Sequence, residues 1–239
     1  MIDTKRIEQM LKREIARANK PENLANYQQF FKEKLDEPVG LRGPVLRAIS
    51  NLIYREVKAE GPVEILQMCD RLLETDLRCR RFFAFEWAAK QKDHFRPSEF
   101  ARFEKWLKKY VDYWGACDSL CAGPLGILIA QYPELAEKMR PWQKSKNRWL
   151  RRGAAVGLIV PVKQRQLLDE VFRTADVLLQ DTDDIVQKGY GWMLKEASNR
   201  FPEEVFAYVM KHKARMPRTA LRYAIEKLPP ARRKQAMAK

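Results

Sequence analysis

The sequence predicts an all-α fold, a right-handed α-solenoid in which pairs of helices stack side by side and leave a concave basic groove. Three observations carry this. Apolar residues recur at three- and four-residue spacing almost everywhere, and no segment shows the alternation of a half-buried strand. Glycine is scarce, at 10 of 239 residues, in a chain rich in the good helix formers Leu, Ala, Lys, Arg and Glu. The breaks between apolar stripes are short, and the helices they separate come as pairs with a period of about 35 to 40 residues. Such a pair cannot bury both faces alone, so neighbouring pairs stack.

The elements follow in order. Ile7, Met10, Leu11 and Ile15 make the first stripe, and Pro21 opens a second helix after Lys20. Gly40, Gly43 and Pro44 mark a loop and a helix start, followed by Leu46, Ile49, Ile53, Tyr54 and Val57. Gly61-Pro62 places a proline at an early helical position, where its missing N–H costs nothing. Pro97-Ser98 starts the helix of Phe100, Phe103, Leu107 and Tyr110. Pro133, Pro141, Pro161, Pro202 and Pro217 punctuate the second half, around the stripes Leu168, Val171, Phe172, Ala175, Leu179 and Val205, Tyr208, Val209. Leu221, Ala224, Ile225 and Leu228 close the chain before Pro229-Pro230. No linker is long enough to divide it, so one helical-repeat domain is expected over 1–228, with 229–239 as a frayed basic tail. A single irregular helical bundle is the alternative.

An apolar fraction of 46% excludes a disordered tail. The balance of 46 Lys and Arg against 31 Asp and Glu, a net charge of +15, points to a polyanion: nucleic acid, an anionic membrane surface or an acidic protein. The first twenty residues form a polar amphipathic helix rather than a signal peptide. No run approaches a membrane span, and a cytoplasmic protein is expected. Cys69, Cys79, Cys117 and Cys121 then read as reduced thiols acting as small buried hydrophobes. Their spacing, with His94 and His212 isolated, does not suit a zinc site. No glycine-rich phosphate cradle is present.

One constellation can carry chemistry. Trp114 and Asp118 are four residues apart and share a helix face. Arg152, beside Arg151, lies 38 residues beyond Trp114, and Trp192 lies 40 beyond Arg152. Those steps match the helix-pair period, so an aromatic, a carboxylate, a cation and a second aromatic would line one inner surface. Each residue also has an ordinary reading: the tryptophans as core, Asp118 as a helix cap, Arg152 as a solvated or paired side chain.

These segments resemble the AlkD-type DNA alkylation repair glycosylases, a family of HEAT-like helical repeats. The resemblance rests on Trp-x-x-x-Asp at Trp114 and Asp118, on Asn147-x-Trp-Leu-x-Arg-x-Ala with its arginine at Arg152, and on Gln187-Lys188-x-x-Gly191-Trp192-x-Leu194-x-Glu196. Tyr27, before a Phe-Phe-Lys run, also fits the pattern. Three features depart from it: Gly115 stands where close members carry a polar residue, Arg151 adds a charge, and the loop from Pro38 to Pro44 is atypical.

The resemblance implies hydrolysis of the N-glycosidic bond of a cationic alkylated purine, 7-methylguanine or 3-methyladenine, in double-stranded DNA. Alkylation already makes the base a good leaving group. The carboxylate of Asp118 would stabilise the developing sugar cation and orient water. The electron-rich faces of Trp114 and Trp192 would flank the lesion nucleotide, and Arg152 would hold a backbone phosphate. Tyr27, Arg148, Arg151 and Lys188 would add DNA contacts, making binding steeply salt-dependent. The resemblance further implies that the lesion stays stacked in the duplex rather than being flipped out. No cofactor is implied, and the enzyme would act as a monomer. A lyase would need an activated amine, and no lysine is singled out for one. Two other readings stand beside this: a non-catalytic repeat protein binding damaged or branched DNA, and a protein–protein scaffold.

Overall fold

The computed structural model describes residues 3–20, 40–74 and 78–238, and every regular element among them is helical. The all-α class is thus borne out. Two compact units are present, residues 1–94 and 95–239. Pro21, Pro38 and Tyr27 lie outside the described residues.

The first unit holds α1 (Thr4–Ala18), α2 (Gly43–Val57), α3 (Pro62–Leu73) and α4 (Arg78–Ala89), closed by a 3₁₀ turn over Lys92–His94. Asp3 caps α1, its carboxylate accepting the N–H groups of Lys5 and Arg6 at 3.0 and 3.1 Å. Ile7, Leu11 and Ile15 are buried along one stripe. Both α2 and α3 begin where the sequence places them, with Pro44 and Pro62 in their first turns. Trp87 is fully buried and donates its indole N–H to Ser50 Oγ at 2.9 Å.

The second unit carries α5 (Glu99–Tyr110), α6 (Trp114–Leu120), α7 (Gly126–Gln131), α8 (Arg148–Val156), α9 (Ile159–Lys163), α10 (Leu168–Leu178), α11 (Asp184–Ser198), α12 (Pro202–His212), α13 (Arg218–Ala224) and α14 (Pro230–Met237). Phe100, Phe103, Leu107 and Tyr110 of α5 are buried together, as their spacing predicts. Helix α11 is central: it packs on α8, α10, α12 and α13. Gly191 permits its approach to α13, since a Cβ there would stand 2.9 Å from the Ala220 carbonyl oxygen and 2.7 Å from Tyr223 Cβ.

Three local features differ from the sequence reading. A π-helical turn over Cys121–Leu125 links α6 to α7, with Gly123 at φ −103°, ψ −120°. Its cause is Pro124, which lacks an N–H and crowds the carbonyl four residues earlier. Residues Pro133–Lys144 form 3₁₀ turns that contain Pro141 rather than breaking at it. Pro229-Pro230 not only stops the preceding turn but starts α14, so 230–237 of the expected frayed tail is helical. There Ala236 is buried, and Lys213 Nζ donates to the carbonyls of Gln235 and Ala238.

Candidate functional site

Helix α6 begins at Trp114 with no side-chain cap, and Asp118 lies in its interior. A capping role for Asp118 is therefore set aside. Trp114 is 38% exposed, whereas Trp87 and Trp106 are completely buried. Core packing thus accounts for those two and not for Trp114.

Arg152 reaches Asp118 from α8. Its Nε donates to Asp118 Oδ1 and its Nη2 to Oδ2, both at 2.9 Å, a bidentate pair. Its Nη1 donates to the carbonyl of Ile185, in the first turn of α11, at 2.5 Å. The Arg152 residue is only 5% exposed, so it is neither solvated nor on an open surface. Three helices therefore meet at one guanidinium. Two glycines stand in close quarters here. A Cβ on Gly153 would stand 2.7 Å from Leu107 Cδ2 and 3.2 Å from Cys121 Sγ, and one on Gly189 would stand 3.0 Å from Arg152 Cγ and 3.3 Å from Nη1.

Ile185, Gly189 and Trp192 follow one another at four- and three-residue steps, so they share a face of α11. That face meets Arg152. Trp192 is half-buried, and its indole N–H donates to Glu196 Oε1 at 2.9 Å, one turn further on. Glu196 Oε2 is in turn 3.4 Å from Lys163 Nζ of α9.

The electrostatics follow from burial. Desolvation pushes the Asp118 carboxyl up from its ordinary value, against the pull of the Arg152 cation. Burial also opposes the charge of Arg152, but the Asp118 carboxylate outweighs it and the guanidinium is held above its ordinary range. Both oxygens stand 2.9 Å from donors of that cation, the geometry of a charge-assisted pair. Burial, then the neighbouring Cys117, pushes the Cys121 thiol well above its usual range. Cys121 is therefore a neutral thiol and no nucleophile. All four cysteines are buried and free, as read from the sequence.

Chemically, the pair leaves one lone-pair direction on each Asp118 oxygen. The Asp118 side chain is 20% exposed, so it can meet a water or a developing cation.

The remaining site residues are distributed as follows. Arg148 pairs with Asp183, Arg151 with Asp181 and Lys188 with Asp184, at 2.7, 2.7 and 3.2 Å. The sequence reading brought these cations to phosphate and missed their carboxylate partners. It also missed Gly189 and the Ile185 carbonyl. A glycine inside a helix, where it weakens the backbone, was the available signal for Gly189. Tyr27 lies outside the described residues. Among the described residues no group of three or more His, Cys, Asp or Glu is placed to hold a metal, and no helix is long and apolar enough to cross a membrane.

Comparison with known proteins adds the following. A family model described as DNA alkylation repair enzyme matches residues 11–228. A solved structure, described as a predicted DNA alkylation repair enzyme from Enterococcus faecalis, superposes with a TM-score of 0.76 at 18% identity. The match covers 89% of this chain and 97% of that one. No curated protein sequence matches.

Proposed function

This chain belongs to the DNA alkylation repair enzyme family, and from that premise we propose that it is a monofunctional DNA N-glycosylase of base excision repair. Its substrates are cationic N7- or N3-alkylated purines in duplex DNA, such as 7-methylguanine and 3-methyladenine, and its product is an abasic site. It acts as a monomer without a cofactor, in the cytoplasm on chromosomal DNA.

The carrying observation is the Asp118 carboxylate, held on both oxygens by a buried Arg152 between the helices of Trp114 and Trp192. Expulsion of a cationic base leaves oxocarbenium character on the sugar. A fixed carboxylate stabilises that charge without reorganising and accepts a hydrogen bond from the attacking water. The indole faces attract the cationic base and the polarised sugar C–H groups. Arg152, only 5% exposed, serves the site first by holding Asp118, and the one N–H that each of its terminal nitrogens keeps beyond its protein partners is what a phosphate seated closely over it would use. Lys188 supplies a further DNA contact, as does Tyr27 by the family resemblance.

The second reading is a repeat protein that binds damaged DNA without cutting it. It has one specific observation in its favour: both Asp118 oxygens already have a protein partner, as in a structural ion pair. Release of 7-methylguanine from methylated duplex DNA separates the two. Loss of release in Asp118→Asn, with DNA binding and helicity kept, supports the glycosylase. Binding without any release by folded wild type supports the alternative.

A further inference from the structure

Two of the arginines expected on DNA are held elsewhere. Arg151 uses all three guanidinium nitrogens within the protein. Its Nε donates to Asp181 Oδ2 at 2.7 Å, its Nη2 to Asp181 Oδ1 at 3.4 Å, and its Nη1 to the carbonyls of Ser145 and Lys146 at 2.8 and 3.3 Å. Its side chain is 18% exposed and that of Asp181 is 9% exposed. Arg148 donates from Nη2 to Asp183 Oδ1 at 2.8 Å, with Nε 2.7 Å from Oδ2.

Both carboxylates belong to the short connection between α10 and α11, and both organise it. Asp181 Oδ1 accepts the Asp183 N–H, and the Asp181 carbonyl accepts the Gln187 side chain. Asp183 caps α11, its Oδ1 accepting the Ile185 N–H at 2.9 Å. Ile185 is the residue whose carbonyl receives Arg152 Nη1. Trp192 follows seven residues later, two turns along the same face. The connection that α8 grips is thus the one that sets where α11 begins, and with it where Ile185 and Trp192 stand relative to Arg152.

We propose that Arg151 and Asp181, seconded by Arg148 and Asp183, form a clip that locks α11 onto α8 and so positions Trp192 and the Arg152–Asp118 pair, rather than gripping the DNA backbone. The inference rests on the glycosylase reading for what the clip serves. Its members are positioning residues and touch no reacting atom. The charge balance agrees: beyond its protein contacts Arg151 keeps a single N–H, on Nη2, so gripping a phosphate with paired donors would mean breaking the bidentate pair and leaving Asp181 buried beside DNA.

The two roles predict opposite responses to Asp181→Asn. A clip loses its partner, and excision slows. A phosphate-gripping arginine is released, and DNA binds more tightly. The experiment measures single-turnover excision from a duplex carrying one 7-methylguanine, and affinity for the undamaged duplex across salt concentrations. It uses full-length wild type, Asp181→Asn, Arg151→Gln and the exchanged pair Arg151→Asp/Asp181→Arg, each checked for helicity. The clip predicts that both single variants lose about tenfold or more in rate through misplacement, with affinity within about threefold and an unchanged salt slope. The exchanged pair recovers rate. Tighter binding by Asp181→Asn, or a salt slope shallower by about 0.9 in Arg151→Gln, the value for one lost phosphate contact, would overturn it. If wild type excises nothing, the glycosylase reading falls, and the affinity arm alone decides whether Arg151 is a DNA contact.

Discussion

Gly189→Ala adds one methyl group beside the guanidinium that joins three helices. The new Cβ would lie 3.0 Å from Arg152 Cγ and 3.3 Å from Nη1. Arg152 cannot swing aside as a free side chain would, because its nitrogens are fixed by both Asp118 oxygens and by the Ile185 carbonyl. Either the chain shifts by a few tenths of an ångström and stretches those bonds, or α11 moves from α8. Overpacking of this kind costs about 1 to 3 kcal/mol. Replacing a helix-interior glycine by alanine returns about 1 kcal/mol. The net destabilisation is therefore about 0 to 2 kcal/mol, which lowers Tm by at most about 8 °C at roughly 2 to 4 °C per kcal/mol for a chain of this size. The site has no such compensation. A displaced Arg152–Asp118 pair is expected to cost about tenfold to a hundredfold in single-turnover release of 7-methylguanine, about 1.4 to 2.7 kcal/mol in the barrier. Circular dichroism melting and excision rate are measured on the same preparation. A variant that melts near wild type and excises at the wild-type rate would refute the claim that Gly189 makes room for a working Arg152.

Two further predictions concern the same atoms. The active form of Asp118 is the carboxylate, so excision is present above its pKa and falls as pH drops through it; because burial raises that pKa, the acid limb of the rate lies above the ordinary aspartate value. Arg152→Gln removes the cation that pulls it down and moves the limb to still higher pH, as a pH–rate profile for each protein would show. For stability the sign is reversed: a raised carboxyl favours the folded state below the unfolded pKa, and that contribution fades as pH rises through the folded one. Glu196→Ala deprives the Trp192 indole of its acceptor and is expected to slow excision several-fold while binding of undamaged duplex is kept. Glu196→Gln retains a carbonyl acceptor and most of the rate, and equal rates in the two variants would contradict the positioning of Trp192 by Glu196.

Much of this architecture was legible in local sequence. Pro44, Pro62 and Pro202 each stand in a first helical turn, because a residue without an N–H is cheapest there. The stripes of α1 and α5 are buried as spaced, because 3.6-residue periodicity is a property of the helix itself. Asp118 and Arg152 do meet, one helix pair apart, as the repeat period suggested. What was not legible depends on partners distant in the chain. Arg148 and Arg151 look alike as surface cations until Asp181 and Asp183, some thirty residues on, are folded against them. Nor does periodicity mark the π turn at Cys121–Leu125 or the helix over 230–237: a proline is a break in sequence, and whether the chain bulges, stops or restarts there is decided by what packs around it.

The central claim is that Asp118 serves the chemistry of base release, and the direct measurement is release of free 7-methylguanine from methylated duplex DNA by wild type and Asp118→Asn, with DNA affinity measured alongside. The account predicts release by wild type, a fall of at least about a hundredfold in the variant, as for loss of a transition-state stabiliser, and affinity for undamaged duplex within a few-fold of wild type. Equal release by both proteins, or none by a folded wild type that still binds DNA, would contradict it.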